Sequence, residues 1–433
     1  MSLYPEAARL LARARALTPG GSQTLSRQAS MWGEGGAPAV AQRAKGPYLW
    51  DADGHRYVDW LLGLGSVVLG HAHPEVDEAV IRRIRDGAHP TLSTRLEADV
   101  AELLSDAVPC AEMSRFVKTG TEACMAAVRI ARAATGREMI LVCGYHGWAD
   151  WYAATKAKHP GVPAVLETLA HAFPFNDLDA LEGELQAHAG KVAAVMLEPT
   201  LYEAPKPGFL VGVRDLAHAH GALLIFDEVV TGFRWARGGA QEYFGIVPDL
   251  ATLGKAMGNG YPIAAIVGRR EIMDPHALVV SSTFGGEGVG LAAAKAVLEI
   301  YRREPVVEHL WRVGGEFARR TTESAWGLPF VVDGFACKPR LRCTDADPER
   351  ARLLMSLVLQ QAAARGVLLH LSGENVSFAH GEAELYETAV ALRDTFALGR
   401  EALADGNLRE RLVGEPYVEG FRAITEEGHG GPR

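Results

Sequence analysis

The chain has 433 residues, of which 48% are hydrophobic and 22% charged, and its 44 basic and 53 acidic side chains leave a net charge of −9. This composition excludes a mainly disordered or collagen-like chain, and an acidic balance without a basic run argues against a general nucleic-acid binder. At roughly 150 residues per domain, the length predicts two to three domains. No apolar run approaches the roughly 18 to 20 residues that cross a bilayer, so we predict a cytoplasmic enzyme without a membrane partner.

The predicted elements alternate between helices and short strands. The N-terminal residues form an amphipathic helix that stops near Pro19, and residues 48–59 form a β-hairpin about the turn at residues 51–54. Helices at 97–108 and 122–135 follow. Between and after the later helices lie apolar strand segments at 139–143, 192–197, 222–226 and 264–268. Short strands separated by helices predict an α/β fold whose mainly parallel sheet is sandwiched by helices.

Three segments are expected along the chain. Residues 1–74 form an N-terminal helix and hairpin that pack with a small domain, and residues 75–310 form the large sheet domain. Residues 311–433 form the smaller α+β domain, which includes a strand at 367–371.

Two predicted strand ends carry ionisable side chains. Asp227 follows the apolar run in ALLIFDEVVTGFR, and Lys255 follows the strand in PDLATLGKAMGNGYP. Ligands of open α/β sheets bind beyond the carboxyl ends of strands, so both side chains are candidates for a cleft. Taken alone, the aspartate is equally compatible with capping a turn, and an isolated lysine is most often a surface charge. The glycines at 254, 258 and 260 allow the backbone beside Lys255 to approach a bound group.

Two turns that precede helices could bind an anion. The T-x-x-E spacing that starts at Thr119 predicts a capping box, which leaves Gly120 and Thr121 to offer N–H groups and a hydroxyl at a helix N-terminus. A well-capped helix without a ligand is the simpler interpretation of this pattern by itself. Thr283 precedes the glycine cluster FGGEGVG and another helix. No clear strand precedes that cluster, so it is a weak dinucleotide signature.

Aromatic side chains follow the strand at 139–143. In CGYHGWADW, Tyr145 is flanked by glycines at the strand end, and Trp148 and Trp151 add flat surface nearby, although at least one tryptophan is expected in the core. In combination, a phosphate-binding helix start, an aromatic platform, a strand-end aspartate and a lysine on a glycine turn are the set that holds pyridoxal 5′-phosphate. Asp227 would keep the ring nitrogen protonated, and Lys255 would form the Schiff base and carry protons.

These motifs closely resemble those of class III, fold-type I aminotransferases, and within them the glutamate-1-semialdehyde aminomutase-like group, from about residue 18 to about residue 380. The resemblance implies a homodimer with shared active sites. It also implies a role for each matching residue: Lys255 as the Schiff-base lysine, Asp227 on the pyridine nitrogen, Val229 and Tyr145 on the two ring faces, Gly120 and Thr121 on the phosphate, Thr283 on the phosphate of the neighbouring subunit's cofactor, and Glu198 and Glu228 in support.

The resemblance to the aminomutase itself has matches and departures. Arg27 has the spacing of that enzyme's carboxylate-binding arginine, Glu374 resembles its late glutamate, and the segment at 159–163 resembles its gating loop. Residues 63–65 read Gly-Leu-Gly where that group has Ser-Trp-Gly, and Trp148 replaces a second histidine. These departures lie on the expected substrate side.

The WADW and TFGGEGVGLAAA segments look more like class III enzymes of amino-sugar and aminoglycoside biosynthesis. We therefore predict amino transfer from glutamate or glutamine to a keto or aldehyde group of a sugar or aminoglycoside-type acceptor, as in antibiotic biosynthesis. The expected substrate-binding residues are Arg27, Trp148, Glu198 and Glu374. The alternatives are the aminomutase, an epimerase or dehydratase on the same scaffold, and a carbohydrate-binding or regulatory protein without the chemistry.

Metal binding is not expected from the sequence. The pairs His71/His73 and His218/His220 lack a nearby carboxylate or cysteine set that would close a coordination sphere, and the five cysteines are widely spaced without a CxxC pair.

Overall fold

The computed structural model describes residues 3–156 and 160–418, so His159 of the predicted gating loop lies outside the described residues. The chain divides into a central unit, Pro74–Val307, and a terminal unit, Met1–His73 with Glu308–Arg433. No described helix is both long and apolar enough to cross a membrane. The described helices are α1 Pro5–Leu17, α2 Leu62–Gly65, α3 Pro74–Arg85, α4 Arg95–Ala107, α5 Gly120–Thr135, α6 Asp150–Ala153, α7 Leu178–Ala187, α8 Phe209–Ala219, α9 Ala240–Phe244, α10 Arg270–His276, α11 Gly288–Arg303, α12 Val306–Ser324, α13 Pro348–Ala364 and α14 Glu382–Asp405.

The strands form three sheets in the described part of the chain. They are β1 Ala41–Lys45, β2 Tyr48–Asp51, β3 Arg56–Asp59, β4 Met113–Val117, β5 Met139–Cys143, β6 Ala170–Ala172, β7 Val192–Leu197, β8 Leu223–Asp227, β9 Leu250–Leu253, β10 Ala264–Gly268, β11 Phe330–Phe335, β12 Lys338–Cys343 and β13 Val367–Leu368.

The central unit contains a seven-stranded sheet in the order β4-β10-β9-β8-β7-β5-β6. The β6-β5-β7-β8-β9 stretch is parallel, and β10 is antiparallel to both β9 and β4. Every residue of β5, β7 and β10 is buried, as is usual for strands that are covered on both faces. The prediction of an α/β fold with a mainly parallel sheet is confirmed, with β10 as the strand of opposite direction.

Helix α5 begins and ends where its sequence predicts. The Thr119 hydroxyl accepts the Glu122 N–H, and the Glu122 carboxylate accepts the Thr119 N–H at 2.8 Å, which completes the capping box. Gly136 ends the helix in the left-handed conformation at φ 66°. Its buried face consists largely of alanines, so the helix can pack close to the sheet.

The terminal unit holds the predicted hairpin in a four-stranded sheet, β1-β2-β3-β13. Strands β2 and β3 pair antiparallel, while β13 pairs parallel with β3 over two residues. The strand predicted at 367–371 is therefore shorter than expected. Beyond β13, the Leu369 carbonyl accepts a hydrogen bond from the Trp32 indole at 2.7 Å instead of continuing the ladder.

Four consecutive residues of the terminal unit have positive φ angles. Leu62, Gly63, Leu64 and Gly65 have φ values of 49°, 61°, 63° and 82°. The Asp59 carboxylate accepts the N–H groups of residues 61 and 62, both at 2.9 Å, and fixes the start of this turn. A left-handed conformation is costly for leucine, so the contacts around the turn must compensate for it.

Candidate active site

Asp227 lies at the carboxyl end of β8 and is 4% exposed. Its Oδ2 accepts hydrogen bonds from His146 Nδ1 at 2.8 Å and from the Cys124 thiol at 3.2 Å. Its Oδ1 accepts from the Thr252 hydroxyl and the Val229 N–H, each at 3.1 Å. Burial acts to raise the pKa of Asp227, but the hydrogen bonds from His146 and the other donors outweigh it and lower the pKa. The carboxylate is therefore held in its charged form.

Lys255 follows β9 and starts a short 3₁₀ helix. Strands β8 and β9 are parallel neighbours, and Asp227 is in register with Thr252, so both strand ends lie at the same edge of the sheet. Lys255 is half-buried and has φ 43°, which is rare for a residue with a side chain. The structure thus brings the two ionisable residues predicted at strand ends to one edge, as expected.

The start of α5 contacts the segment that follows β8. A Cβ atom placed on Gly120 would lie 2.9 Å from Cγ1 of Val229, and one placed on Gly254 would lie 3.6 Å from the same methyl group. Thr121 packs against Gly147 (φ 96°), where an added Cβ would lie 2.3 Å from the threonine hydroxyl. Gly120, Thr121, Val229 and the turn that carries Lys255 therefore form one contiguous surface.

The aromatic segment adjoins this surface through Gly147. The Tyr145 N–H donates to the Glu198 carboxylate at 2.8 Å, and Gly144 lies so close to the same carboxylate that a Cβ would approach it to 2.7 Å. Tyr145 is half-buried with its ring 5.7 Å from that of Tyr152 in an edge-to-face arrangement. Glu198 itself is buried, and its hydrogen bond holds the Tyr145 backbone in place.

The two tryptophans of this segment separate as the sequence suggested that they could. Trp151 is 7% exposed and its ring stacks on that of His146 at 6.4 Å between centroids, whereas Trp148 is 76% exposed. One aromatic side chain thus belongs to the core and the other presents its surface to solvent.

Thr283 lies in the exposed turn that leads into α11. Near this turn, the Lys118 ammonium donates to the Glu287 carboxylate at 2.9 Å, and Glu287 also caps α11 by accepting the N–H groups of residues 289 and 290. Lys118 immediately precedes the capping box of α5, so this partly buried ion pair connects the N-terminal ends of α5 and α11.

Arg27 and Glu374 belong to the terminal unit, unlike the other predicted site residues. Arg27 is exposed at the end of a short 3₁₀ helix. Glu374 is fully buried; its Oε2 accepts the Leu341 N–H at 3.2 Å, while Oε1 has no hydrogen-bond partner among the described atoms. Burial raises the pKa of Glu374 to about 7, against the opposing effect of the Leu341 N–H and the Lys338 charge.

Sequence reasoning missed the buried groups around Asp227, namely His146, Cys124 and Thr252. Burial, followed by the nearby Asp227 charge, raises the pKa of the Cys124 thiol, so this group acts as an S–H donor. His146 follows Tyr145 directly in the sequence and its position in the YHG motif was a usable signal. The other two contacts depend on how α5 crosses β8 and β9, which the sequence pattern does not specify.

Comparison with known proteins identifies the family of this chain. Residues 31–377 match the class-III aminotransferase family. The chain belongs to this family. Class III aminotransferases use pyridoxal 5′-phosphate, so the protein is a pyridoxal phosphate-dependent enzyme of the aminotransferase or aminomutase type.

Individual relatives cover almost the whole chain. A glutamate-1-semialdehyde 2,1-aminomutase of Roseiflexus castenholzii (strain DSM 13941 / HLO8) is 38% identical over 92% of this chain and 98% of its own. The FumI protein of Sphingopyxis sp. MTA144, solved with pyridoxal phosphate, matches with a TM-score of 0.85 at 28% identity over 92% of this chain and 97% of its own. An omega-transaminase from Sphaerobacter thermophilus matches with a TM-score of 0.82 at 27% identity over 91% and 98%. The two solved structures share the fold-type I architecture of this chain.

The residues present fit this cofactor. His146 Nε2 is buried without a partner among the described atoms, while its Nδ1 is bound to the ionised Asp227. Gly120 and Gly147 permit close approach of α5 to the segments that follow β8 and β5, where a side chain would collide. Each group of the cofactor has a counterpart here. The aldehyde requires an amine, which the constrained turn supplies; the ring nitrogen requires an ionised carboxylate; and the phosphate requires a helix N-terminus.

Proposed function

We propose that this protein is an aminotransferase that takes an amino group from glutamate or glutamine and transfers it to a keto or aldehyde carbon of a sugar or aminoglycoside-type acceptor. The observation that carries the amino-transfer chemistry is the buried Asp227, which holds its charge through four donors beside the turn of Lys255. The observation that favours a sugar-type acceptor is the exposed indole of Trp148 three residues beyond Tyr145.

The proposed roles divide between holding the cofactor and moving protons. Gly120 and Thr121 would bind the phosphate at the start of α5, and Val229 and Tyr145 would contact the two ring faces. Pyridoxal phosphate, when bound, supplies an electron sink for the bond that is broken at the substrate carbon. Lys255 would bond to the cofactor and, once released from it, accept and return the substrate proton as a free amine.

Asp227 would keep the pyridine nitrogen protonated. A carboxylate with a lowered pKa stays charged throughout the neutral range and favours a proton on a nearby ring nitrogen. His146 would act as a positioning residue, because its hydrogen bond fixes the carboxylate and helps to lower its pKa. Glu198 would act at one further remove by fixing the backbone of Tyr145.

The proposed acceptor follows from the side chains that are predicted to bind the substrate. Aromatic side chains with an exposed face suit sugar rings, and a net charge of −9 does not repel a polycationic acceptor. Arg27 would bind the carboxylate of the amino donor, and Glu374 is proposed as a further substrate-binding residue. A homodimer with shared sites is also proposed, in which the exposed Thr283 reaches the phosphate of the neighbouring subunit's cofactor.

Glutamate-1-semialdehyde 2,1-aminomutase activity is the second candidate. It is favoured by the relative of that name at 38% identity and by the position of Arg27. The substitution of Gly-Leu-Gly at 63–65, folded as a left-handed turn, speaks against an unchanged mutase substrate site. An epimerase or dehydratase would share the cofactor site and differ in product.

The experiment that separates these candidates is an amino-transfer assay with matched substrates. Enzyme in the amino-loaded form is offered 6′-oxo aminoglycosides, nucleotide keto-sugars or glutamate semialdehyde, with and without 2-oxoglutarate. The proposal expects an amino-sugar product from the keto-sugar acceptor. In the reverse direction it expects formation of the keto-sugar to depend strictly on 2-oxoglutarate as the amino acceptor. Turnover of the semialdehyde alone, independent of 2-oxoglutarate, would replace it with the mutase. Trp148→Ala should raise KM for the sugar acceptor and leave the glutamate half-reaction unchanged.

A further inference from the structure

Three metal-ligating side chains lie together on the central unit, apart from the residues of the proposed active site. They are His171 on β6, Glu184 on α7, and His188, which caps the end of α7. His171 Nδ1 lies 2.9 Å from Glu184 Oε2, and His188 Nε2 lies 3.6 Å from the same oxygen. All three ligand atoms lie within 4.8 Å of one another. Histidine pairs two residues apart are visible in the sequence, whereas these three side chains come together only in the fold.

Two of the three ligand–ligand separations, those to Glu184, are close to those of a tetrahedral zinc site. Zinc binds imidazole nitrogen and carboxylate oxygen at about 2.0–2.2 Å, so adjacent ligands in a tetrahedron are separated by about 3.3–3.5 Å. The His188–Glu184 distance of 3.6 Å lies just above this range, and the His171–Glu184 distance of 2.9 Å needs to open by a few tenths of an ångström. The two imidazole rings are nearly perpendicular, at 86°, with centroids 4.8 Å apart.

The elements that carry the ligands restrict their arrangement but leave the site accessible. Glu184 and His188 are four residues apart at the end of one helix and therefore lie on the same face. His171 comes from β6, which is the edge strand of the seven-stranded sheet. The side chains of His171, Glu184 and His188 are 33%, 34% and 24% exposed, so an ion can enter and a water molecule can complete the coordination.

We propose that His171, Glu184 and His188 form a binding site for a divalent transition metal, with Zn²⁺ as the ion that suits two imidazoles and one carboxylate. Three protein ligands leave one position for water. The bound ion joins the edge strand β6 to α7 and so stabilises this edge of the sheet. This proposal is independent of the substrate and of the proposed amino-transfer activity.

The test is calorimetric titration of chelator-treated holoenzyme with ZnCl₂ in a buffer that does not bind metals. We expect one ion per chain, binding that weakens as pH falls because protons compete for the imidazoles, and a higher melting temperature with Zn²⁺ than without it. His171→Ala and His188→Ala should each weaken binding at least about tenfold, since even indirect disturbance of a metal site has an effect of this size. Co²⁺ should give the intense visible bands of four-coordinate geometry.

Two controls make the result specific. His218→Ala removes a histidine that pairs with a single carboxylate, Asp249, at 2.8 Å, and should leave zinc affinity and stoichiometry unchanged. Glu184→Gln keeps the size of the side chain and a hydrogen-bonding oxygen but removes the charge, so it should weaken Zn²⁺ binding while the enzyme stays folded and active. The proposal is overturned if His171→Ala, His188→Ala and Glu184→Gln all bind zinc as tightly as the wild type does. It is also overturned if the wild-type enzyme binds no zinc.

Discussion

The Nδ1 atom of His146 lies 2.8 Å from Oδ2 of Asp227, and both side chains are buried. A buried carboxylate without donors would have a raised pKa, whereas this one has a lowered pKa because His146 and three other groups donate to it. The negative charge of Asp227 in the proposed active site therefore depends on His146, a residue that does not itself need to contact the substrate.

Removal of the His146 donor should shift the acid limb of the pH profile. Activity that needs ionised Asp227 is lost as pH falls through the carboxyl pKa, and His146→Leu raises that pKa towards the value set by burial. We expect kcat/KM to fall on the order of tenfold or more at low pH, with a smaller loss at alkaline pH. The measurement is kcat/KM from pH 5 to 9 for wild type, His146→Leu and the control His218→Leu, and an unshifted acid limb in His146→Leu would refute the role.

Gly147 should be sensitive to the smallest possible side chain. In Gly147→Ala the new Cβ would approach the Thr121 hydroxyl to 2.3 Å in a backbone conformation of φ 96°. The strain is about 1–3 kcal/mol and should weaken pyridoxal phosphate binding about tenfold or more, as measured by fluorescence titration. Gly183→Ala is the matched control, because this helical glycine faces open space and its replacement should stabilise the fold by about 0.5–1 kcal/mol. Equal cofactor affinity in both variants would contradict the assignment.

The Lys118–Glu287 ion pair should couple the two helix starts energetically. Lys118→Met and Glu287→Gln each leave one partly buried charge without its partner, at a cost of about 1–3 kcal/mol. The free energy of unfolding of the double variant should fall by less than the sum of the losses in the two single variants. We expect a coupling free energy of about 0.5–3 kcal/mol between the two sites, as measured by urea unfolding. Additive losses would show that the pair does not stabilise the arrangement.

Glu374 should make stability depend on pH. Its pKa is raised to about 7 in the folded chain from an ordinary value of 4.5, so the folded state binds the proton more tightly than the unfolded state. Its contribution is therefore greatest below pH 4.5 and is lost as pH rises towards 7. The melting temperature of Glu374→Gln minus that of wild type should be larger at pH 8 than at pH 5, as measured by calorimetry. The same temperature difference at both pH values would contradict this.

The sheet and the strand ends at Asp227 and Lys255 could be predicted from the sequence because each depends on local pattern. The apolar runs before Asp227 and Lys255 define β8 and β9, and parallel neighbours necessarily end at one edge. The capping box at Thr119 likewise fixes the start of α5. The donors to Asp227 were not predictable in the same way, because Cys124 and Thr252 reach it through tertiary packing between a helix and two strands.

Other features depended on contacts that are distant in sequence. The strand predicted at 367–371 stops after Leu368 because Trp32, more than 330 positions earlier, binds the next carbonyl. The left-handed turn at 62–65 contains two leucines, whose local preference is for other conformations, and it depends on the Asp59 carboxylate. Local propensity was overridden at both places by specific hydrogen bonds.

The most direct measurement is the location of the cofactor bond. Enzyme purified with pyridoxal phosphate is reduced with borohydride, digested and analysed by mass spectrometry, with visible absorbance recorded before reduction. The adduct is expected on Lys255 in wild type and in the control Lys191→Ala, whereas Lys255→Ala should lack the visible band, the adduct and turnover. A Lys255→Ala variant that keeps both the visible band and amino transfer would contradict the account.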